Sequence, residues 1–86
     1  MSMYIKNSTS VPVDIFYHGE HTTLKTEGKQ LIEQDSSQTE YHGHSNIGGF
    51  VIFKNDSQYS VRVYGNLTTV FNQKTEDFMF EILEKK

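Results

Sequence analysis

The chain has 86 residues, a net charge of −3 and no cysteine. A chain of this length forms one domain, residues 1–86, with a core so thin that a second copy would add burial, so a homodimer is one expectation. Without cysteine, disulfides and thiolate chemistry are excluded. One arginine and scattered lysines argue against nucleic-acid binding.

The distribution of apolar residues argues against export and membrane contact. The longest apolar run is Phe50–Phe53, which is far shorter than a signal peptide or a membrane span needs. We therefore expect a cytoplasmic protein. Alanine, the strongest helix former, is absent, while β-branched and aromatic residues are frequent, and this composition favours strands.

The first part of the chain predicts two strands. Met3–Lys6 forms the first, and Val11–Tyr17 forms the second, because apolar side chains occupy every other position of that segment. Pro12 has no N–H to donate to a neighbouring strand, so the second strand begins there or lies at a sheet edge.

The middle of the chain predicts weaker strands. Thr22–Lys25 and Lys29–Gln34 flank a glycine-containing turn and are expected to pair with each other, and Gln38–His42 adds a further strand. Glu33 and Asp35 alternate on one strand face, where we expect both carboxylates to be solvated.

Two stronger strands and a turn follow. The continuous apolar run Phe50–Phe53 is typical of a strand buried on both faces, and Gln58–Tyr64 alternates between apolar and polar positions. Gly65 and Asn66 are typical of a two-residue hairpin turn, because primed turns need a positive φ at their first central position. Such a hairpin would place Leu67 opposite Tyr64.

The segment 75–86 fits two structures. As a strand it places Phe78, Phe80 and Ile82 on one face, whereas a helix over about 75–85 leaves Phe80 outside the apolar stripe, so we favour the strand. The prediction is an all-β fold, a small antiparallel β-sandwich or barrel of about 6–8 short strands. The alternative is an α+β fold with the C-terminal helix.

Histidines form the most distinctive pattern. They occur in two similar segments, with the spacings H-x-x-H and H-x-H. Residues two apart on a strand share a face, so the second pair can reach one ion, and a bend at Gly19 would bring the first pair to it. Converging imidazoles suit zinc or another transition metal, with hydrolysis as one use, whereas two polar turns would need no cofactor. The candidate ligands are His18, His21, His42 and His44.

A surface of tyrosines beside the single arginine is a second candidate site. Tyrosine supplies apolar area and a hydrogen-bonding tip at low entropy cost, and arginine supplies a charged anchor. The alternative is that the tyrosines close the rim of the core. The candidate binding residues are Arg62, Tyr64, Leu67, Phe71, Tyr41 and Tyr59.

These features favour binding over catalysis, because a thin core leaves little room for the deep, dry pocket that most enzymes need. We expect a small non-catalytic protein–protein interaction module, and the size and composition fit a bacterial or phage accessory protein. Its partner would contact an exposed sheet edge or the continuous face that the predicted hairpin forms from Arg62, Tyr64, Leu67 and Phe71. The alternatives are the metal-binding domain and a carbohydrate-binding β domain.

Overall fold

Nine β-strands form the computed structural model, which describes residues 2–17, 19–34, 40–56, 58–74 and 77–86. The described residues contain no helix, and therefore no helix that could cross a membrane. The strands are β1 (Ser2–Asn7), β2 (Val13–Tyr17), β3 (Glu20–Leu24), β4 (Lys29–Gln34), β5 (Glu40–Ser45), β6 (Gly48–Asn55), β7 (Gln58–Gly65), β8 (Leu67–Lys74) and β9 (Asp77–Glu84).

The strands form two sheets that pack together. One sheet has four strands in the order β4-β1-β9-β8, and the other has five in the order β3-β2-β5-β6-β7. Neighbouring strands run antiparallel except β1 and β9, which run parallel. The prediction of an all-β fold of packed antiparallel sheets is confirmed, with the parallel β1–β9 pair as the departure from it. There are nine strands rather than six to eight in the described chain, and β9 is a strand rather than the alternative helix.

The core lies between the sheets and follows the alternation of the strands. In β9, Phe78, Phe80 and Ile82 are buried, as the strand prediction requires. Opposite Gly43, the ring of Phe50 occupies the space that a side chain at position 43 would need. The buried apolar side chains are Met3, Ile5, Val13, Ile15, Leu24, Ile32, Tyr41, Phe50, Ile52, Leu67, Phe78, Phe80 and Ile82.

Two predicted strand pairs are wrong, because the chain crosses between the sheets at both turns. β3 and β4 lie in different sheets, and so do β7 and β8. At the second crossing Gly65 has a φ of 71° and lies against the backbone of Ile47. The carbonyl oxygen of Ile47 accepts a 2.8 Å hydrogen bond from the N–H of Asn66. Leu67 then enters the core instead of pairing with Tyr64.

A buried asparagine joins the two sheets at the end of β1. The side-chain amide of Asn7 donates to the carbonyl oxygens of Val11 and Leu24, both at 2.8 Å. Its side-chain oxygen accepts from the N–H of Thr9 at 2.9 Å and from the Thr9 hydroxyl at 2.7 Å. These bonds use every donor and acceptor of the amide group, so Asn7 is fully satisfied without water.

Candidate functional site

The exposed face of the five-stranded sheet carries two adjacent rows of side chains, which we call the histidine face. In the first row, on strands β2, β5, β6 and β7, lie Phe16, His42, Val51 and Arg62. In the second row, on the same strands, lie Asp14, His44, Gly49 and Tyr64. Four strands that are not all consecutive in the chain therefore build one surface.

A notch lined by His44, Gly49 and Tyr64, among other residues, interrupts the second row. The notch has a volume of about 400 Å³ and opens to solvent. Its rim includes Phe16, which is 46% exposed, and Tyr64, which is 50% exposed. Two large exposed rings around one concavity are typical of a contact site, whereas single exposed apolar residues are common on any surface.

Contacts with β3 hold Phe16 in position. Its ring stacks on the imidazole of His21, with the ring centroids 4.7 Å apart and the planes at 14°. His21 Nε2 lies 3.3 Å from Asp14 Oδ1, which also accepts a 2.7 Å hydrogen bond from the Thr23 hydroxyl. The hydrogen bonds from Thr23 and His21 lower the pKa of Asp14, so its carboxylate stays ionised and keeps both bonds.

The described histidines do not gather at one point. His42 and His44 share the histidine face, as the H-x-H spacing requires, but the ring of Phe16 lies between His42 and His21. Among the residues that the structure describes, no three His, Cys, Asp or Glu side chains form a group that could hold a metal ion. His18 lies outside the described residues, so its part in the predicted site stays a prediction.

Three of the predicted binding residues are exposed, but they do not form one surface. Arg62 and Tyr64 lie on the histidine face. Phe71 lies on β8, at the edge of the other sheet. The predicted continuous face depended on a β7–β8 hairpin, and the crossing between the sheets at Asn66 separates its two halves.

The other three predicted binding residues point inward. Tyr41 and Leu67 are buried in the core, and Tyr59 is half-buried between the sheets. The burial of Tyr41 has a signal in the sequence, because a strand that turns His42 and His44 outward must turn Tyr41 inward.

A buried ionic cluster between the sheets was not predicted. Glu33, which we expected to be solvated, is 3% exposed, because a register shift in the pairing of β4 with β1 turns it inward. Its Oε1 accepts hydrogen bonds from the Lys54 ammonium and, at 3.2 Å, from the Tyr59 hydroxyl. Its Oε2 accepts none from any described residue. Asp35, the other residue of that prediction, lies outside the described residues.

The cluster predicts a loss of stability at alkaline pH. Burial, followed by the negative charge of Glu33, raises the pKa of Tyr59 above its ordinary value. Above about pH 10 the unfolded chain therefore ionises this tyrosine while the folded chain does not, and the free energy of unfolding falls as pH rises. Urea unfolding between about pH 8 and 11 should show a shallower decline for Tyr59→Phe than for the wild type. An identical slope for the two proteins would contradict the assignment.

Comparison of the chain with family models, curated proteins and solved structures found no match. The geometry of its own residues is therefore what bears on its function.

Proposed function

We propose that the protein is a non-catalytic binding module whose histidine face contacts a protein partner. The observation that carries this proposal is the notch at Gly49, with the exposed rings of Phe16 and Tyr64 on its rim. In protein interfaces a few apolar anchors seated in pockets supply most of the affinity. A notch with an aromatic rim suits the insertion of one such anchor.

The composition of the face supports a protein ligand and indicates its chemistry. Tyrosine, phenylalanine and arginine are the residues that protein interfaces favour, and Arg62 is the single arginine of the chain. Arg62 is two residues before Tyr64, so both side chains lie on the same face of β7. Arg62 is also exposed, so its guanidinium can pair with a carboxylate of a partner. We infer a partner segment with an aromatic or large aliphatic side chain for the notch and an acidic residue close to it.

The strands also keep the cost of binding low. The side chains of the histidine face stand on paired strands, and Phe16 is already fixed by its stack on His21. A surface that is ordered before the partner arrives loses little conformational entropy on binding.

A carbohydrate-binding function is the second candidate, and the openness of the notch favours it. The rings of Phe16 and Tyr64 suit the apolar face of a sugar, while His42, His44 and Asp14 offer hydrogen-bonding groups. A glycan array separates the two functions. Glycan binding that Tyr64→Ser abolishes would assign the face to sugars, and an array without signal would favour the protein partner.

Peptide display tests the protein-binding proposal without a known partner. Random peptides selected on the immobilised protein should be enriched in an aromatic or large aliphatic residue near Asp or Glu. Phe16→Ser and Tyr64→Ser should each weaken the selected peptides by at least about tenfold, because each removes one ring of the rim. Fluorescence polarisation with labelled peptides measures the dissociation constants.

Leu31→Ser is the matched control for these variants. Leu31 is 37% exposed but lies on β4, in the other sheet, so its loss should leave peptide affinity unchanged. Melting temperatures verify that the three variants fold. Peptides that bind all three variants as well as the wild type would show that the histidine face is not the binding surface.

A further inference from the structure

Strands β7 and β8 form a side of the sandwich that no other described strand covers. Each is the outermost strand of its sheet, and the chain passes directly from one to the other through Asn66, so both edges lie on the same side. Among the described residues, six large apolar side chains are exposed, and four of them lie on these two strands. They are Val63, Tyr64, Val70 and Phe71. Val63 and Phe71 face the inside of their sheets and lie at the open side, whereas Tyr64 and Val70 lie on the outer faces.

The opposite side of the sandwich has edge protection that β7 and β8, as the structure describes them, do not have. There, β3 is only five residues long, and β4 carries the register shift and the inward-pointing Glu33. Short strands, irregular pairing and inward charges are features that natural sheets use against edge-to-edge association. β7 and β8 are each eight residues long, contain no proline and pair with their neighbours without a register shift.

The charge distribution also singles out this side. β7 and β8 contain no Asp or Glu, although the chain has eleven acidic residues and a net charge of −3. Arg62 is the one charged residue of β7. Two copies of an acidic protein repel each other least where neither presents an acidic residue, so this is the side on which a second copy can approach.

We propose that two copies of the chain associate through this side, with β7 of one copy antiparallel to β7 of the other about a two-fold axis. An axis at Val61 sets Val61 against itself, Ser60 against the second copy's Arg62, and Tyr59 against the second copy's Val63. Residues that face the core in one copy then lie opposite residues that face the core in the other copy. Residues that face solvent likewise lie opposite residues that face solvent. An axis one residue later would set the two copies of Arg62 against each other, which like-charge repulsion disfavours.

The dimensions of the contact fit a weak dimer. Eight residues give each edge strand a length of about 27 Å, and the two sheets are about 10 Å apart. This contact covers the exposed side chains of Val63 and Phe71, which face the inside of their sheets. It is smaller than the interfaces of stable complexes, so we expect a dissociation constant of tens of micromolar or weaker. The proposal does not depend on the proposed function, because the histidine face stays on the outside of both copies.

The mass in solution tests the dimer. Sedimentation from about 1 µM to about 1 mM should show a rise from the 10.0 kDa monomer to twice that mass. Val63→Lys places a charge in the contact and should raise the dissociation constant by at least about tenfold. Leu31→Lys, on the edge strand β4 of the opposite side, should leave it unchanged. A monomeric wild type over the whole range would overturn the proposal.

A single introduced cysteine tests the register and does not require the lysine variants to fold. The natural chain has no cysteine, so any disulfide reports the new residue. Facing residues of an antiparallel pair have Cα atoms about 4.5–5.5 Å apart, which a disulfide can bridge. Mild oxidation should link Val61→Cys into a covalent dimer and leave Leu31→Cys as a monomer. No linkage at position 61, or equal linkage at both positions, would overturn the proposed pairing.

Discussion

Lys54→Met is expected to lower the free energy of unfolding by about 3–5 kcal/mol, because it leaves the buried carboxylate of Glu33 without its cation. Glu33 Oε1 would retain only the hydrogen bond from the Tyr59 hydroxyl, and Oε2 accepts none from any described residue. The side chain of Glu33 is 2% exposed, so water cannot replace the ammonium without opening the sandwich. Urea unfolding at neutral pH measures the loss.

Two further proteins separate the charge effect from a packing effect. The double variant Glu33→Leu with Lys54→Met removes both charges and should recover most of the lost stability, since apolar pairs often replace buried ion pairs without a net cost. Lys25→Met removes an exposed lysine and should change stability by less than about 0.5 kcal/mol. A double variant as unstable as Lys54→Met alone would mean that the lysine stabilises the fold through its packing.

Asn7→Asp is expected to lower the free energy of unfolding by at least about 3 kcal/mol, although the two side chains have nearly the same shape. The new carboxylate would point an acceptor oxygen at the carbonyl oxygens of Val11 and Leu24, which now accept hydrogen bonds from the Asn7 amide. The N–H and hydroxyl of Thr9 would still donate to the other carboxylate oxygen. Only the two hydrogen bonds to the carbonyl oxygens of Val11 and Leu24 would be lost.

The effect of Asn7→Asp should depend on pH in one direction. Burial raises the pKa of such a carboxyl, and the protonated acid can donate one of the missing hydrogen bonds, so the deficit relative to wild type should shrink as pH falls. Asn46→Asp, at an exposed turn position, is the matched control and should be nearly neutral. A deficit for Asn7→Asp that stays constant from neutral to acidic pH would contradict this account of the site.

Alternation of side chains predicted the strands better than it predicted the sheets. The inward positions of β2, β7 and β9 follow from a period of two residues, which is a property of the local backbone. Strand partners depend on distant contacts instead. Gly65 and Asn66 fit a hairpin and a crossing between sheets equally well, and the approach of Gly65 to the backbone of Ile47 decides between them.

The candidate site was predicted only in part for the same reason. Arg62 and Tyr64 share a face of one strand, and the local pattern is enough to place them together. Phe16 and Gly49 come from strands β2 and β6, and they reach Tyr64 only because β5 lies between those strands in the sheet. Glu33 points inward because of a register shift between β4 and β1. The alternation of apolar and polar residues along the sequence does not reveal such a shift.

The parallel pairing of β1 with β9 determines when this domain can fold during its synthesis. Ser2 pairs with Asp77 and Asn7 pairs with Ile82, so the first and ninth strands meet at the centre of the four-stranded sheet. Contacts between such distant parts of a chain give a high contact order and slow folding. Until the ribosome has released β9, the earlier strands have no completed sheet to cover them, and the nascent chain passes through a period of exposed apolar surface.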